Sequence, residues 1–178
     1  NIRQTMEELP QDVFEQAVEA ILSASRLYIL GAGSCEALAR FAAYYLKLML
    51  PDARLINSTS DAGIIEDIIH IQENDIVLGI SFPRYSAKTA KTLQYARNRK
   101  AKVIAITDSA LSPIAELADY LLLAHSDMPT IVDSLVAPLS LINALVVAVS
   151  LKRLEGNQSL VEELEDLQEN YHIYHPFL

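Results

Sequence analysis

The stretch DIVLGISFPRYSAKT, residues 75–89, runs from a wholly apolar segment straight into a turn crowded with hydroxyls and cations. Ile76 to Ile80 has no polar side chain at either parity, the pattern of a strand covered on both faces rather than one with a wet side. A turn needs little beyond Gly, Asn, Asp or Pro. Ser81, Arg84, Tyr85 and Ser86, with Lys88 behind them, are more than a turn requires, and they point to an anion met at the end of this strand.

The same unit repeats in both directions along the chain. Upstream, LPQDVFEQAVEAILSAS places Leu9, Val13, Phe14, Ala17, Val18, Ile21 and Leu22 at helical spacing, and predicts an amphipathic helix within about 5–24. RLYIL (26–30) reads as a buried strand, 36–50 as a helix, ARLI (53–56) as a strand and DAGIIEDIIHI (61–71) as a helix. Downstream follow a helix at 86–99, the strand KVIAIT (102–107), a short helix after Pro113 and the strand YLLLA (120–124). A long apolar helix from about 133 to 155, the break EGNQS and an acidic helix at 160–171 complete the chain. Alternating apolar strands and helices predict an α/β fold, a three-layer αβα sandwich around a five-stranded parallel sheet. The commonest five-strand winding is the flavodoxin-like order 2-1-3-4-5. No repeat or linker interrupts the pattern, so residues 1–178 read as one domain with its core at about 20–150.

Composition narrows the function. A chain of 178 residues, 51% apolar and 21% charged, can bury a sizeable core. The 14 basic and 23 acidic residues give a net charge of −9, which argues against this chain gripping nucleic acid itself. The single Cys35 cannot form an internal disulfide, as expected of a reducing cytoplasm. Asn1 is not an initiator methionine and no secretion signal opens the sequence, so a trimmed portion of a longer protein is expected. LVAPLSLINALVVAVSL (135–151) approaches the length of a membrane span, but Pro138, Ser140, Asn143 and Ser150 interrupt it. A helix buried in the core or between subunits is the expectation, with no membrane. His70, His125, His172 and His175 are scattered without a metal-ligand spacing, and neither a metal nor a cofactor is expected.

Ligands of an open parallel sheet bind beyond the carboxyl ends of the strands, where the winding reverses. In the order 2-1-3-4-5 that point lies between the loops GAGSCE (31–36) and SFPRYS (81–86). Gly31 and Gly33 allow a tight turn, and Ser34 stands before a helix whose N-terminus presents amide hydrogens and partial positive charge. The plainer reading is a tight turn with Ser34 as a helix cap. The second loop adds the hydroxyls of Ser81 and Ser86 and the guanidinium fork of Arg84, suited to phosphate or carboxylate. Seven of the 14 basic residues (Arg84, Lys88, Lys91, Arg97, Arg99, Lys100, Lys102) fall in this one unit, most of them on a solvated helix face. Candidate ligand-binding residues are Gly33, Ser34, Ser81, Arg84 and Ser86. Thr107, Asp108 and Ser109 line the rim or simply start a helix.

At these loops the chain resembles the sugar isomerase (SIS) domain, most closely the form found in RpiR-family transcriptional regulators. Gly31, Gly33 and Ser34 match the family's Gly-x-Gly-x-Ser turn. Ser81 and Ser86 match the first serine and the threonine of its Ser-x-Ser-Gly-x-Thr turn, while Pro83 replaces the second serine and Arg84 the glycine. VIAITDSALSPIAELADYLL resembles the segment that follows, and the likeness spans about 20–150. It implies a phosphosugar effector held by Ser34, Ser81, Ser86 and the backbone of both turns. It also implies dimerisation through helices, as a homodimer or higher oligomer, and a helix-turn-helix domain in front, absent from this sequence, through which alone DNA would be bound. The departure at Arg84 leaves two outcomes: its side chain takes over from the amides of the glycine turn, or it points away.

Three functions stay in contention. One is a phosphosugar-sensing, dimerising domain of a bacterial regulator of carbohydrate metabolism, not an enzyme. Another is an aldose/ketose sugar-phosphate isomerase, since fold alone does not settle function. Isomerisation needs a base beside a carbonyl, and Glu36, Glu66 and His70 are the candidates. The last is a purely structural dimerisation module.

Overall fold

A computed structural model describes residues 1–57, 59–127, 132, 134–155, 162, 163, 166, 167 and 170. Its elements are α1 (Ile2–Glu8), α2 (Gln11–Ser23), β1 (Leu27–Gly31), α3 (Cys35–Met49), β2 (Ala53–Leu55), α4 (Asp61–Ile68) and β3 (Ile76–Ile80). There follow α5 (Ala87–Asn98), β4 (Lys102–Thr107), a 3₁₀ turn (Ala115–Leu117), β5 (Tyr120–Leu123) and α6 (Val136–Leu154). The five strands form one sheet in the order β2-β1-β3-β4-β5, every pairing parallel.

The strands are apolar throughout because each face of the sheet is roofed. Leu27, Ile29, Ile76, Leu78, Ile80, Ile104 and Ile106 point into one core with residues of α2, α3 and α6. Tyr28, Leu30, Val77, Val103 and Ala105, at the other parity, point into a second core closed by α4, α5 and the 3₁₀ turn. Burying both parities leaves no position on a central strand where a polar side chain is cheap.

The amino-terminal helix differs from the expected 5–24. The chain forms two helices broken at Leu9 and Pro10, with Leu9 at φ −71°, ψ 115° and Pro10 serving as the N-cap of α2. A proline excludes the α conformation from the residue before it and cannot continue a helix from its N-terminal side. The first helix is tied down independently: buried Thr5 accepts a hydrogen bond from the His125 amide at 2.9 Å, and His125 Nε2 lies 2.8 Å from Glu8 Oε2. Hydrogen bonding to His125 draws the Glu8 carboxyl below its ordinary pKa.

The apolar helix begins at Val136, and residue 133, where it was expected to start, lies outside the described residues, as does most of 160–171. It is long and apolar enough to cross a membrane. One side is nonetheless spent on the core, where Leu141, Ile142, Leu145 and Val149 are buried against α2 and α3.

Gly31 ends β1 where α3 folds back over it. A Cβ there would stand 2.3 Å from the Cys35 carbonyl oxygen and 3.2 Å from Ala39 Cβ. Gly33 has open space but a φ of +62°. Gly31→Ala is therefore expected to cost about 3 kcal/mol or more through the clash, and Gly33→Ala about 1 kcal/mol through backbone strain alone. Urea unfolding of the two variants should rank them in that order.

Candidate functional site

The parallel register of β1 and β3 builds the site. Gly31 lies level with Ile80, so the loops that follow leave the same carboxyl edge from neighbouring strands. They then diverge to opposite faces, α3 joining one core and α5 the other.

On the first loop, the left-handed Gly33 reverses the chain into α3. Ser34 is exposed, already helical at φ −60°, ψ −31°, and makes no side-chain capping bond. The cap reading of this serine is not what the structure shows; the turn is closed instead by Glu36 N–H donating to the Gly33 carbonyl at 3.1 Å.

The second loop is held more tightly. Ser81 is only 2% exposed, and its amide donates to the Ile106 carbonyl of β4 at 3.1 Å. Its Oγ accepts from the Ser86 amide at 3.2 Å, and Ser86 Oγ accepts from the Thr89 amide at 3.3 Å as the N-cap of α5. The two serines that the sequence placed five residues apart are thus directly bonded. A hydroxyl that accepts from an amide keeps its own proton to donate, so both serines can still offer one.

Arg84 is exposed and sits at φ +63°. It replaces glycine in sequence but keeps the left-handed backbone that glycine would supply, at a strain of roughly 1–2 kcal/mol for an L-residue. The turn thus carries an exposed cationic side chain on a left-handed backbone.

Tyr85, the next residue, was not among the predicted ligand contacts. Its hydroxyl donates to Asp108 Oδ1 at 2.9 Å, and Thr107 Oγ1 lies 3.3 Å from the same oxygen. Burial, followed by the hydrogen bond to Asp108 and that residue's negative charge, pushes the Tyr85 pKa up to about 12. The available sequence signal was Asp108 itself, the first residue beyond β4 on the same edge.

Several of the clustered cations are structural. Lys88 pairs with Asp61 at 2.9 Å, Arg97 with the Glu116 carbonyl, Arg99 with the Ile71 carbonyl and Lys102 with the Tyr120 hydroxyl. The candidate bases are dispersed. Glu36 is ion-paired to Arg40 at 2.6 Å and Glu66 is exposed on α4. His70 lies at the opposite edge, where its carbonyl accepts from Arg26 just ahead of β1. Among the described residues there is no group of three or more His, Cys, Asp or Glu able to hold a metal ion. A cleft of about 920 Å³ also opens at that amino edge, but Asp12, Glu15, Glu19 and Glu73 on its wall oppose an anion.

The comparisons with known proteins agree with this fold. The SIS domain family model matches residues 20–148. An uncharacterised HTH-type transcriptional regulator of Haemophilus influenzae is 30% identical over 121 residues, covering 68% of this chain and 41% of that protein. The chain spans about two fifths of the length of the curated relatives it matches. The sugar isomerase domain of an RpiR transcription factor from Sphaerobacter thermophilus superposes with a TM-score of 0.86 at 25% identity, covering 93% of this chain and 92% of that one. The Vibrio vulnificus NanR protein, solved in complex with ManNAc-6P, superposes with a TM-score of 0.80 at 18% identity, covering 96% of this chain and 65% of that one. With the winding, the two diverging loops and the family match in agreement, this chain belongs to the SIS domain family.

Proposed function

We propose that this domain binds a phosphorylated sugar between the β1 and β3 loops, and that the bound sugar biases the arrangement of two protomers in a bacterial regulator of carbohydrate metabolism. The observation that carries this reading is the level pairing of Gly31 with Ile80, from which both hydroxyl-bearing turns open onto one edge. Phosphate would take hydrogen bonds from Ser34, from Ser86, from the backbone of both turns and from Arg84. Buried Ser81 would act chiefly by holding the Ser86 end of its turn. The ManNAc-6P complex of the NanR protein supports the choice of ligand class, and the HTH-type relatives support a regulatory setting with DNA bound by a domain outside this sequence. A cytoplasmic location follows from that setting.

The isomerase alternative has less support. Of its candidate bases, His70 is at the wrong edge, and Glu36 is tied to Arg40 on the rim. Among the described residues, the carboxylate beside the β3 turn is Asp108, and its Oδ1 already accepts from Tyr85 rather than standing free as the base that proton transfer at a sugar carbon would need.

Dimerisation rests on a surface. Tyr44 and Leu48 on α3 and Val147 and Leu151 on α6 are exposed, between 38% and 60%. Between the two helices runs a groove of about 350 Å³ walled by Tyr45, Leu48, Met49, Asn143, Val146 and Val147. Contiguous exposed apolar surface of this kind marks an interaction site, and a second copy offers the same surface in return.

Three outcomes are expected. Among a panel of sugar phosphates, at least one raises the melting temperature without isomerised product appearing; turnover would make the domain an enzyme, and no stabilisation by any of them would remove the ligand reading. Ser34→Ala weakens that binding by about 1.5–3 kcal/mol through loss of a bond to the charged phosphate, Ser81→Ala weakens it by freeing the Ser86 end of the turn, both measured by calorimetry, and unchanged affinity in both would displace the site. The chain sediments as a dimer at micromolar concentration, while Val147→Glu, changing a half-exposed side chain outside the core, sediments as a monomer with its fold intact.

A further inference from the structure

The phosphate turn has an aspartate beside it. Asp108 follows the last residue of β4, and β4 is bonded to the turn through the Ser81 amide and the Ile106 carbonyl. A partly buried carboxylate on the edge where a phosphate dianion would settle is a liability, because like charges in a poorly solvated place repel over several ångströms. Removing that charge would be the simple remedy. Instead Oδ1 of Asp108 is covered by two hydroxyls, Tyr85 at 2.9 Å and Thr107 at 3.3 Å.

Tyr85 is well placed for the purpose. It lies between left-handed Arg84 and the capping Ser86, so its backbone is part of the turn while its side chain reaches across to β4. The hydroxyl stays protonated throughout the physiological range, its pKa being raised by burial and by Asp108. A neutral donor on the carboxylate disperses its charge and orients it, as charge-assisted hydrogen bonds do.

We propose that Tyr85 is a positioning residue that shields bound phosphate from Asp108: its hydroxyl, fixed on Oδ1, holds the carboxylate away from the anion and lets an acidic side chain stand at a phosphate site. This rests on the phosphosugar reading above. The arrangement makes Asp108 harmful only when Tyr85 loses its hydroxyl, which a purely structural hydrogen bond would not do.

The test is a double-mutant cycle on the full chain, with ManNAc-6P and inorganic phosphate as probes and the ligand-free melting temperature of each variant as the control for folding. Tyr85→Phe is expected to bind both probes about tenfold more weakly than wild type, with the deficit shrinking as salt is raised. Asp108→Asn, whose side-chain carbonyl still accepts from Tyr85, should bind within about twofold of wild type, and Tyr85→Phe/Asp108→Asn should recover to the same level. Should Tyr85→Phe fail to fold, Asp108→Glu provides the second route, since it advances the charge with Tyr85 in place and is expected to weaken both probes. A double variant as weak as Tyr85→Phe, a Tyr85→Phe that binds like wild type, or an Asp108→Glu that does so in its place would overturn shielding while leaving the phosphosugar site standing. Wild type that binds neither probe nor any other sugar phosphate would overturn the site itself, and shielding with it.

Discussion

The hydrogen-bonded pairing of β1 with β3 is the constraint on which the remainder of the architecture depends. Leu27 to Gly31 lie level with Ile76 to Ile80, and β2 is displaced to the outer side of β1. A chain that wound continuously in one direction would have placed β2 between them and carried their loops a full strand apart. Reversal at β1 is what sends α3 and α5 to opposite faces and leaves a crevice between their N-termini. The two cores and the opening of both turns onto one edge follow from that winding.

Within the crevice, the important distinction is between hydrogen-bonding capacity spent on the fold and capacity left for a ligand. Ser81 and Ser86 both accept from amides, so each closes a turn while retaining a donor proton. Lys88, Arg97, Arg99 and Lys102 have partners within the domain, and their concentration in one βα unit reflects how that unit is fastened to its neighbours. Counting cations in sequence overstates the field available to an anion, because a cation bound to a carbonyl or carboxylate already has its electrostatic work assigned.

Most of the fold was legible because its signal is coarse. Buried parallel strands are apolar at both parities, and Ile76–Ile80 and Val103–Ile106 cannot be read as anything with a wet face. The amino-terminal break was missed because hydrophobic periodicity runs through Leu9 while the decisive information is Pro10 acting on its predecessor. At the candidate site, the loops were singled out by the oddity of their composition and by topology, and the structure brings both to the carboxyl edge of β1 and β3. What could not be found was pairing across strands: Tyr85 with Asp108, 23 positions apart, and His125 with Glu8, 117 apart, have no local pattern. Arg84 was ambiguous for a different reason. Residue type specifies backbone conformation only statistically, and here tertiary context holds an arginine at φ +63°, where glycine would ordinarily be required.

The same helix serves both ends of the proposed function. α3 begins one residue after Ser34, at the proposed ligand edge, and its later turns carry Tyr44, Tyr45 and Leu48 on the exposed apolar face shared with α6. Fifteen residues of helix extend about 22 Å, and a helix packed on one side by Leu38, Ala42 and Leu46 moves as a rigid body more readily than it bends. A phosphate that draws in the N-terminal turn of α3 would therefore displace the surface presented to a second protomer without remodelling the sheet between. Such a displacement changes regulation only if the two arrangements of the dimer differ in how well they accommodate the ligand, and the coupling can be no larger than that difference in binding free energy.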